Sequence, residues 1–209
     1  MAFTEQCRNI FAVGRNYRAH AEELANPVPE AAIFFSKTPS CLCDGDAVRL
    51  PANLGPIHHE LEVVLRLGAD VPVGQYRDLA CVSHLGLGLD FTAREYQSQL
   101  KSKGLPWFRA KNFHGAAFVT GWQPFSRDWH HLKFQLLKNG QLVQDGNTCH
   151  MLFSPQALLA ELNQTLPLRN GDLVFTGTPS GVAPVQHGDI LRLVSSDLGI
   201  DRTIEIRIG

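Results

Sequence analysis

The chain is poor in charge and has nothing that reads as a leader, a membrane anchor or a disulfide framework. Only 19% of its 209 residues are charged, with 19 basic against 20 acidic side chains and a formal net charge of −1, and no block of like charge runs beyond two adjacent residues. A partner held by phosphate neutralisation needs a basic face, so no nucleic-acid partner is expected. No apolar run approaches the roughly 20 residues of a membrane-spanning helix, and MAFTEQCRNIFAVGRNY lacks the charged, apolar, then small layout of a signal peptide. The expected location is the cytoplasm, with no membrane partner. The five cysteines (Cys7, Cys41, Cys43, Cys81, Cys149) are odd in number and contain no CxxC, which argues against disulfides or a structural zinc cluster; reduced, mostly buried thiols are expected. GxGxxG, Walker, GxSxG and HExxH patterns are also missing, which removes the commonest nucleotide, serine-hydrolase and metalloprotease readings.

What is present is ample core material, 44% hydrophobic, punctuated by glycine and proline into short Val, Ile, Leu and Phe stretches. The pattern predicts a mostly β protein of α+β class, a single domain over 1–209, with strands near 9–13, 32–36, 47–50, 60–67, 85–91, 117–120, 172–176, 189–194 and 203–208. Asn139–Gly140 in LKFQLLKNGQLVQDG suits the centre of a type I′ hairpin turn, where both residues need positive φ. Helices are few. Thr92 and Glu95 form a capping-box pattern for a helix over 93–101. Ser154–Pro155 opens a second, and YRAHAEEL is a short third, ended by NPVP.

Nine histidines make metal or proton-transfer chemistry worth seeking. In HHELEVVL, strand alternation places Glu60, Glu62 and His58 on one face and Leu61, Val63 and Leu65 on the other. Paired carboxylates repel unless a cation lies between them, so this is either a solvated strand face or a metal site. Asp90, in LDFTARE, either serves a helix N-terminus or completes an all-oxygen set suited to Mg²⁺, Mn²⁺ or Ca²⁺; His58 keeps open a rival His-plus-carboxylate site for iron or zinc. His20 and Glu23, three apart on a helix, outline a general-base dyad or a surface pair. Lys111 lies amid aromatics in WFRAKNF, solvated or placed against an anion or keto oxygen. GDLVFTGTPSGV brings Thr176, Gly177, Thr178 and Gly181 together, as a tight turn or a cradle for a carboxylate.

In order, GRNYRAH, FFSKTPS, HHELEVVL, LDFTAREYQ, KGLPWFRAKNF, NGQLVQDGNT and GDLVFTGTPSGV resemble the motifs of the fumarylacetoacetate hydrolase family, in particular its small acylpyruvase and fumarylpyruvate hydrolase subgroup. The resemblance implies a mixed β-sandwich roll, a Mg²⁺ or Mn²⁺ cofactor, a homodimer and a small-molecule keto acid substrate. It puts the metal ligands on Glu60, Glu62 and Asp90, the catalytic groups on His20, Glu23 and Lys111, and substrate contacts on Arg15, Gln97 and Thr178. It also makes the helix of the dyad a lid that orders on ligand binding; because YRAHAEEL offers little apolar surface and is followed by NPVP, 17–30 is expected to be poorly ordered before binding. The implied reaction is hydrolytic C–C cleavage of a 2,4-diketo acid to pyruvate and a carboxylic acid, the leaving enolate stabilised by a chelated ion and by Lys111. Oxaloacetate decarboxylation or keto–enol tautomerisation at the same site is the alternative. A non-catalytic protein of the same fold is disfavoured by the intact lysine, dyad and carboxylates. Thr38, His114 and Ala183 depart from the family pattern and bear on substrate choice.

Overall fold

A computed structural model describes residues 7–125 and 129–209, and its strands match every stretch predicted above. Among the described residues they form three sheets. The first runs in the order β2 (Ile33–Lys37), β1 (Ile10–Gly14), β13 (Leu173–Phe175), β6 (Leu61–Leu67), β7 (Val82–Asp90), β9 (Ala117–Val119) and β3 (Leu42–Cys43), with β10 (Gln123–Pro124) also on β7. The second orders β12 (Gln141–Asn147), β11 (Lys133–Lys138), β15 (Ile190–Ser195), β16 (Ile200–Ile208) and β4 (Ala47–Leu50). The third is small: β14 (Ala183–Pro184), β5 (Ile57–His59) and β8 (Thr92–Ala93). Parallel pairs β1–β13, β4–β16 and β3–β9 sit among antiparallel ones, so the two larger sheets are mixed, while the small third sheet is antiparallel. The short strands β3, β5, β8, β10 and β14, of two or three residues, carry too few side chains to show a period of two, which is why sequence patterning missed them.

Strand β6 explains the central layer. Leu61, Val63, Leu65 and Leu67 face the main apolar cluster, while Val64 on the opposite face joins a second cluster with Ile10, Val119 and Phe175. Glu62 lies on the Val64 face and pairs in register with Gly88 of β7. A Cβ at Gly88 would sit 2.6 Å from Val64 Cγ2 and 2.8 Å from Phe118 O, so only glycine lets these strands and Phe175 pack so closely. The β11–β12 hairpin turns at Asn139 (φ 53°) and Gly140 (φ 82°), as its Asn-Gly pair predicts.

The helices are α1 (Arg18–Glu23), α2 (Arg94–Ser102), α3 (Phe108–Lys111) and α4 (Pro155–Thr165). Ser154 caps α4 by accepting from Ala157 N at 3.2 Å. The capping box expected at α2 does not form: Ala93 is the cap residue, without a side-chain bond, and the Thr92 hydroxyl is drawn into the site described below. None of these helices is long and apolar enough to cross a membrane. All five cysteines are free, two of them buried, two half-buried and Cys149 exposed, a more mixed set than expected.

Candidate active site

Glu60 follows β5, Glu62 lies in β6 and Asp90 ends β7, and the backbone joins them directly through Asp90 N–H donating to Glu60 O at 2.9 Å. All three are buried, and one carboxylate oxygen from each lies within 4.8 Å of the others. Among the described residues no histidine joins this group. His58 lies outside it, which removes the His-plus-carboxylate reading; burial and Arg94 push its pKa down to about 4. Strand alternation had placed the two glutamates correctly, and the sheet brings in Asp90 from β7.

Three cations surround the carboxylates. Lys111 Nζ donates to Glu60 Oε2 (2.8 Å), Asp90 Oδ2 (2.5 Å) and Thr92 Oγ1 (2.7 Å), using all its protons, and lies 4.6 Å over the Phe35 ring. The aromatic surroundings read from the sequence are there, but the ammonium is aimed at carboxylates. Burial opposes its charge, yet Asp90 and Glu60 outweigh burial and raise its pKa. Lys37, at the end of β2, has Nζ 2.7 Å from Asp90 Oδ1 and donates to the backbone oxygens of Phe91, Lys111 and Ala116. Arg94 pairs with Glu60 and donates through Nη1 to Gln97 Oε1 at 2.7 Å. Glu60, although buried, is thereby held well below the ordinary carboxylate range by Lys111 and Arg94.

Glu62 has no such partner. It accepts the Gly177 N–H at 2.7 Å, but burial and the charges of Asp90 and Glu60 drive its pKa well above the usual value. An all-carboxylate donor set whose third member lacks a counter-charge fits a hard divalent ion such as Mg²⁺ or Mn²⁺. Glu60, Glu62 and Asp90 would hold it.

Above the carboxylates lies a cavity of about 130 Å³. Its lining includes Arg15, His20, Gln97, Lys101, Trp107 and Thr178. His20 is buried in α1, its Nδ1 3.4 Å from Glu23 Oε2, and Glu23 accepts the Gly181 N–H at 2.9 Å. Burial lowers the His20 pKa despite the charges of Glu60 and Glu23. Arg15 holds φ 59°, a left-handed backbone uncommon for residues other than glycine. Behind Thr178, Gln144 Nε2 donates to its hydroxyl at 2.8 Å while Gln144 Oε1 takes Leu61 N–H and faces His59 Nδ1. The threonine loop thus divides its work: Thr178 faces the cavity, but the Thr176 hydroxyl bonds Val63 O and the Gly177 N–H is taken by Glu62. Gly177 (φ 100°) also admits Asn16, whose Cβ would lie 2.6 Å from an added methyl.

Of the residues that the family resemblance puts in the site, Arg15, His20, Glu60, Glu62, Gln97, Lys111 and Thr178 line this cavity and Asp90 and Glu23 bond to residues that do, whereas His58, Thr176, Gly177 and Gly181 do not line it. Lys37, Arg94, Lys101 and Gln144 were missed. Lys37 and Arg94 stood inside the FFSKTPS and LDFTAREYQ segments, and a lysine closing an apolar strand was the available signal. Thr38, His114 and Ala183 do not line the cavity.

Residues 9–203 match the family of fumarylacetoacetate (FAA) hydrolase C-terminal domains. The chain belongs to the fumarylacetoacetate hydrolase family. Family relatives include a Dictyostelium discoideum protein named oxaloacetate decarboxylase, mitochondrial, 36% identical over 98% of this chain and 96% of the relative. A Bos taurus protein named oxaloacetate tautomerase FAHD1, mitochondrial, is 37% identical over 90% of this chain and 86% of its own length. Among solved structures, the fumarylpyruvate hydrolase of Pseudomonas aeruginosa in complex with Mn²⁺ and pyruvate superposes with a TM-score of 0.90 at 28% identity, covering 97% of this chain and 91% of that one.

Proposed function

We propose that this protein catalyses keto–enol exchange of a small 2-keto diacid of the oxaloacetate type. The observation that carries the reading is the cavity itself. At about 130 Å³ it is well below the roughly 300–1,000 Å³ of sites for drug-sized ligands, and it combines a carboxylate cluster at the floor, a histidine in one wall and the cations Arg15 and Lys101 in the lining. A four-carbon dianion matches that size and charge better than a long acylpyruvate. The names of the Dictyostelium and bovine relatives support the same substrate.

The exchange moves one proton between the C2 oxygen and C3. A divalent ion held by Glu60, Glu62 and Asp90 would polarise the 2-keto group and ease negative charge on its oxygen. His20, neutral near pH 7 because burial lowers its pKa, takes the proton and in its cationic form returns it to the other atom. Glu23 holds the ring through Nδ1, so the second ring nitrogen is left for this transfer. Lys111 pairs with both Asp90 and Glu60 and Lys37 pairs with Asp90, which holds the carboxylates in position. Gln97, itself held by Arg94, and Thr178, held by Gln144, offer polar contacts to the substrate. His20 and Leu24 line the cavity beside the carboxylates and help to limit access of water to the reacting atoms.

Decarboxylation of the same diacid needs no base, so the dyad favours exchange over it. Hydrolysis of an acylpyruvate, the activity expected first from the sequence, is the second reading; the His20–Glu23 pair and the likeness to the Pseudomonas enzyme support it. Enzyme loaded with Mg²⁺ or Mn²⁺ should be assayed in parallel for ketonisation of enol-oxaloacetate, for decarboxylation, and for cleavage of acetylpyruvate and fumarylpyruvate. Ketonisation should show the largest kcat/KM. A kcat/KM larger for either acylpyruvate than for oxaloacetate ketonisation would replace this reading by the hydrolase.

A further inference from the structure

The helix α2 presents Arg94, Gln97, Ser98 and Lys101 to the cavity, positions spaced by three and four residues and so on one helical face. Arg94, at its start, is spent on Glu60 and Gln97. Lys101 lies two turns on, about 10 Å along the axis, and has a different environment. Its Nζ donates to the neutral Asn26 Oδ1, in the segment that follows α1. Among the described residues neither Lys101 nor Arg15 makes an ion pair, while Arg94, Lys111 and Lys37 each do. Burial and the nearby Arg15 lower the Lys101 pKa, which places the two cations within electrostatic reach of each other. Two like charges that line one small cavity, neither of them in an ion pair among the described residues, favour an anion between them.

From this arrangement we infer that Lys101, with Arg15 beside it, recognises the second carboxylate of the substrate and makes the site selective for keto diacids over keto monoacids. The inference rests on the proposed function and names its specificity determinant. Asn26 is the ammonium's partner in the absence of that carboxylate, and it links the recognition to the segment carrying the dyad. A lysine suits this place because its compact ammonium on a flexible stem can keep Asn26 and accept an anion with its remaining protons.

The test uses binding, so that it stands apart from turnover. Malate and lactate are 2-hydroxy acids that differ in the distal carboxylate and cannot undergo the keto–enol exchange. Titration calorimetry on Mn²⁺-loaded protein should show malate binding more tightly than lactate. Lys101→Met should weaken malate about tenfold, the size of one lost charge-assisted contact, and leave lactate within about twofold; Lys101→Arg should restore most of the difference. Asn26→Ala should keep the malate-to-lactate ratio, because the charge remains. Equal loss of both ligands in Lys101→Met, a wild type that does not distinguish them, or an Asn26→Ala ratio as low as that of Lys101→Met would overturn the inference. If oxaloacetate is not turned over while the ratios behave as stated, the proposed reaction falls and the carboxylate subsite stands.

Discussion

Glu60 owes its low pKa to the cations Lys111 and Arg94, Asp90 is paired with Lys37 and Lys111, and those cations are as much a part of the site as the carboxylates. Lys37 is fully enclosed; burial lowers its pKa, Asp90 counteracts, and three backbone oxygens satisfy its protons. Removing one partner of a buried pair strands the other, at a cost of about 3–5 kcal/mol. Lys37→Met should therefore lower unfolding stability by about that amount, read from urea denaturation, and a loss under about 1 kcal/mol would show that Asp90 does not depend on it. His20 works in the opposite sense, since its pKa is lowered and its neutral form is the one the fold favours. The neutral base then persists as pH falls past the ordinary histidine value of about 6.5, so the acidic limb of kcat/KM should lie below that pH. His20→Ala should reduce turnover on the order of 10²–10⁴-fold and abolish that limb. A limb that survives the substitution would assign it to another group.

Helix α1 has only six residues, yet it is anchored more firmly than its sequence predicts. Tyr17 before it joins the main core and meets Phe134 edge-on at 6.5 Å between ring centroids, Ala21 is fully enclosed, and Glu23 is tied to Gly181 of the threonine loop. The sequence reading saw little apolar surface because Tyr17 and Ala21 are isolated in a polar stretch. After Glu23 the chain turns through Ala25 at φ 50° and Asn26, which bonds Ala21 O and Lys101, into residues 27–30, which lie outside any helix or strand and are exposed or half-buried. The lid reading therefore narrows to this segment: hydrogen exchange with and without oxalate should show added protection over 24–30 and little change at Tyr17. Equal protection of 24–30 in both states would remove the lid.

At the scale of the whole molecule the three sheets bring residues from across the chain around one cavity, so an ion bound there reports on the fold. Ligand binding only to the folded state stabilises by about 2.7 kcal/mol at a hundred times Kd. Mn²⁺ should raise Tm accordingly in scanning calorimetry, and Glu62→Gln should cancel the rise, because Glu62 lacks a protein cation to replace the ion's charge. A full shift in Glu62→Gln would exclude Glu62 as a ligand. The homodimer implied by the family resemblance is proposed for this chain as well: β2 is an edge strand, and beside it Leu105 and Phe108 are exposed on an apolar surface. Sedimentation should give twice the 23.1 kDa of one chain; a monomer at micromolar concentration would overturn it.

The sequence by itself determined the strand positions, the Asn-Gly hairpin and the grouping of Glu60 with Glu62, because each follows from a local period or a turn's φ requirement. Its ordered motifs also carried the family, and with it Asp90, His20 and Lys111. Tertiary structure decided what no local pattern can express. Lys37 reaches Asp90 from β2 while the carbonyls of Phe91 and Ala116 accept its protons, and the Thr92 hydroxyl accepts from Lys111 while Ala93 takes the cap position of α2. Lys101 and Arg15 line the same cavity although 86 positions separate them in the chain. Which charge is neutralised and which is left waiting for a ligand depends on distances across sheets, and those are set by packing between segments far apart in sequence.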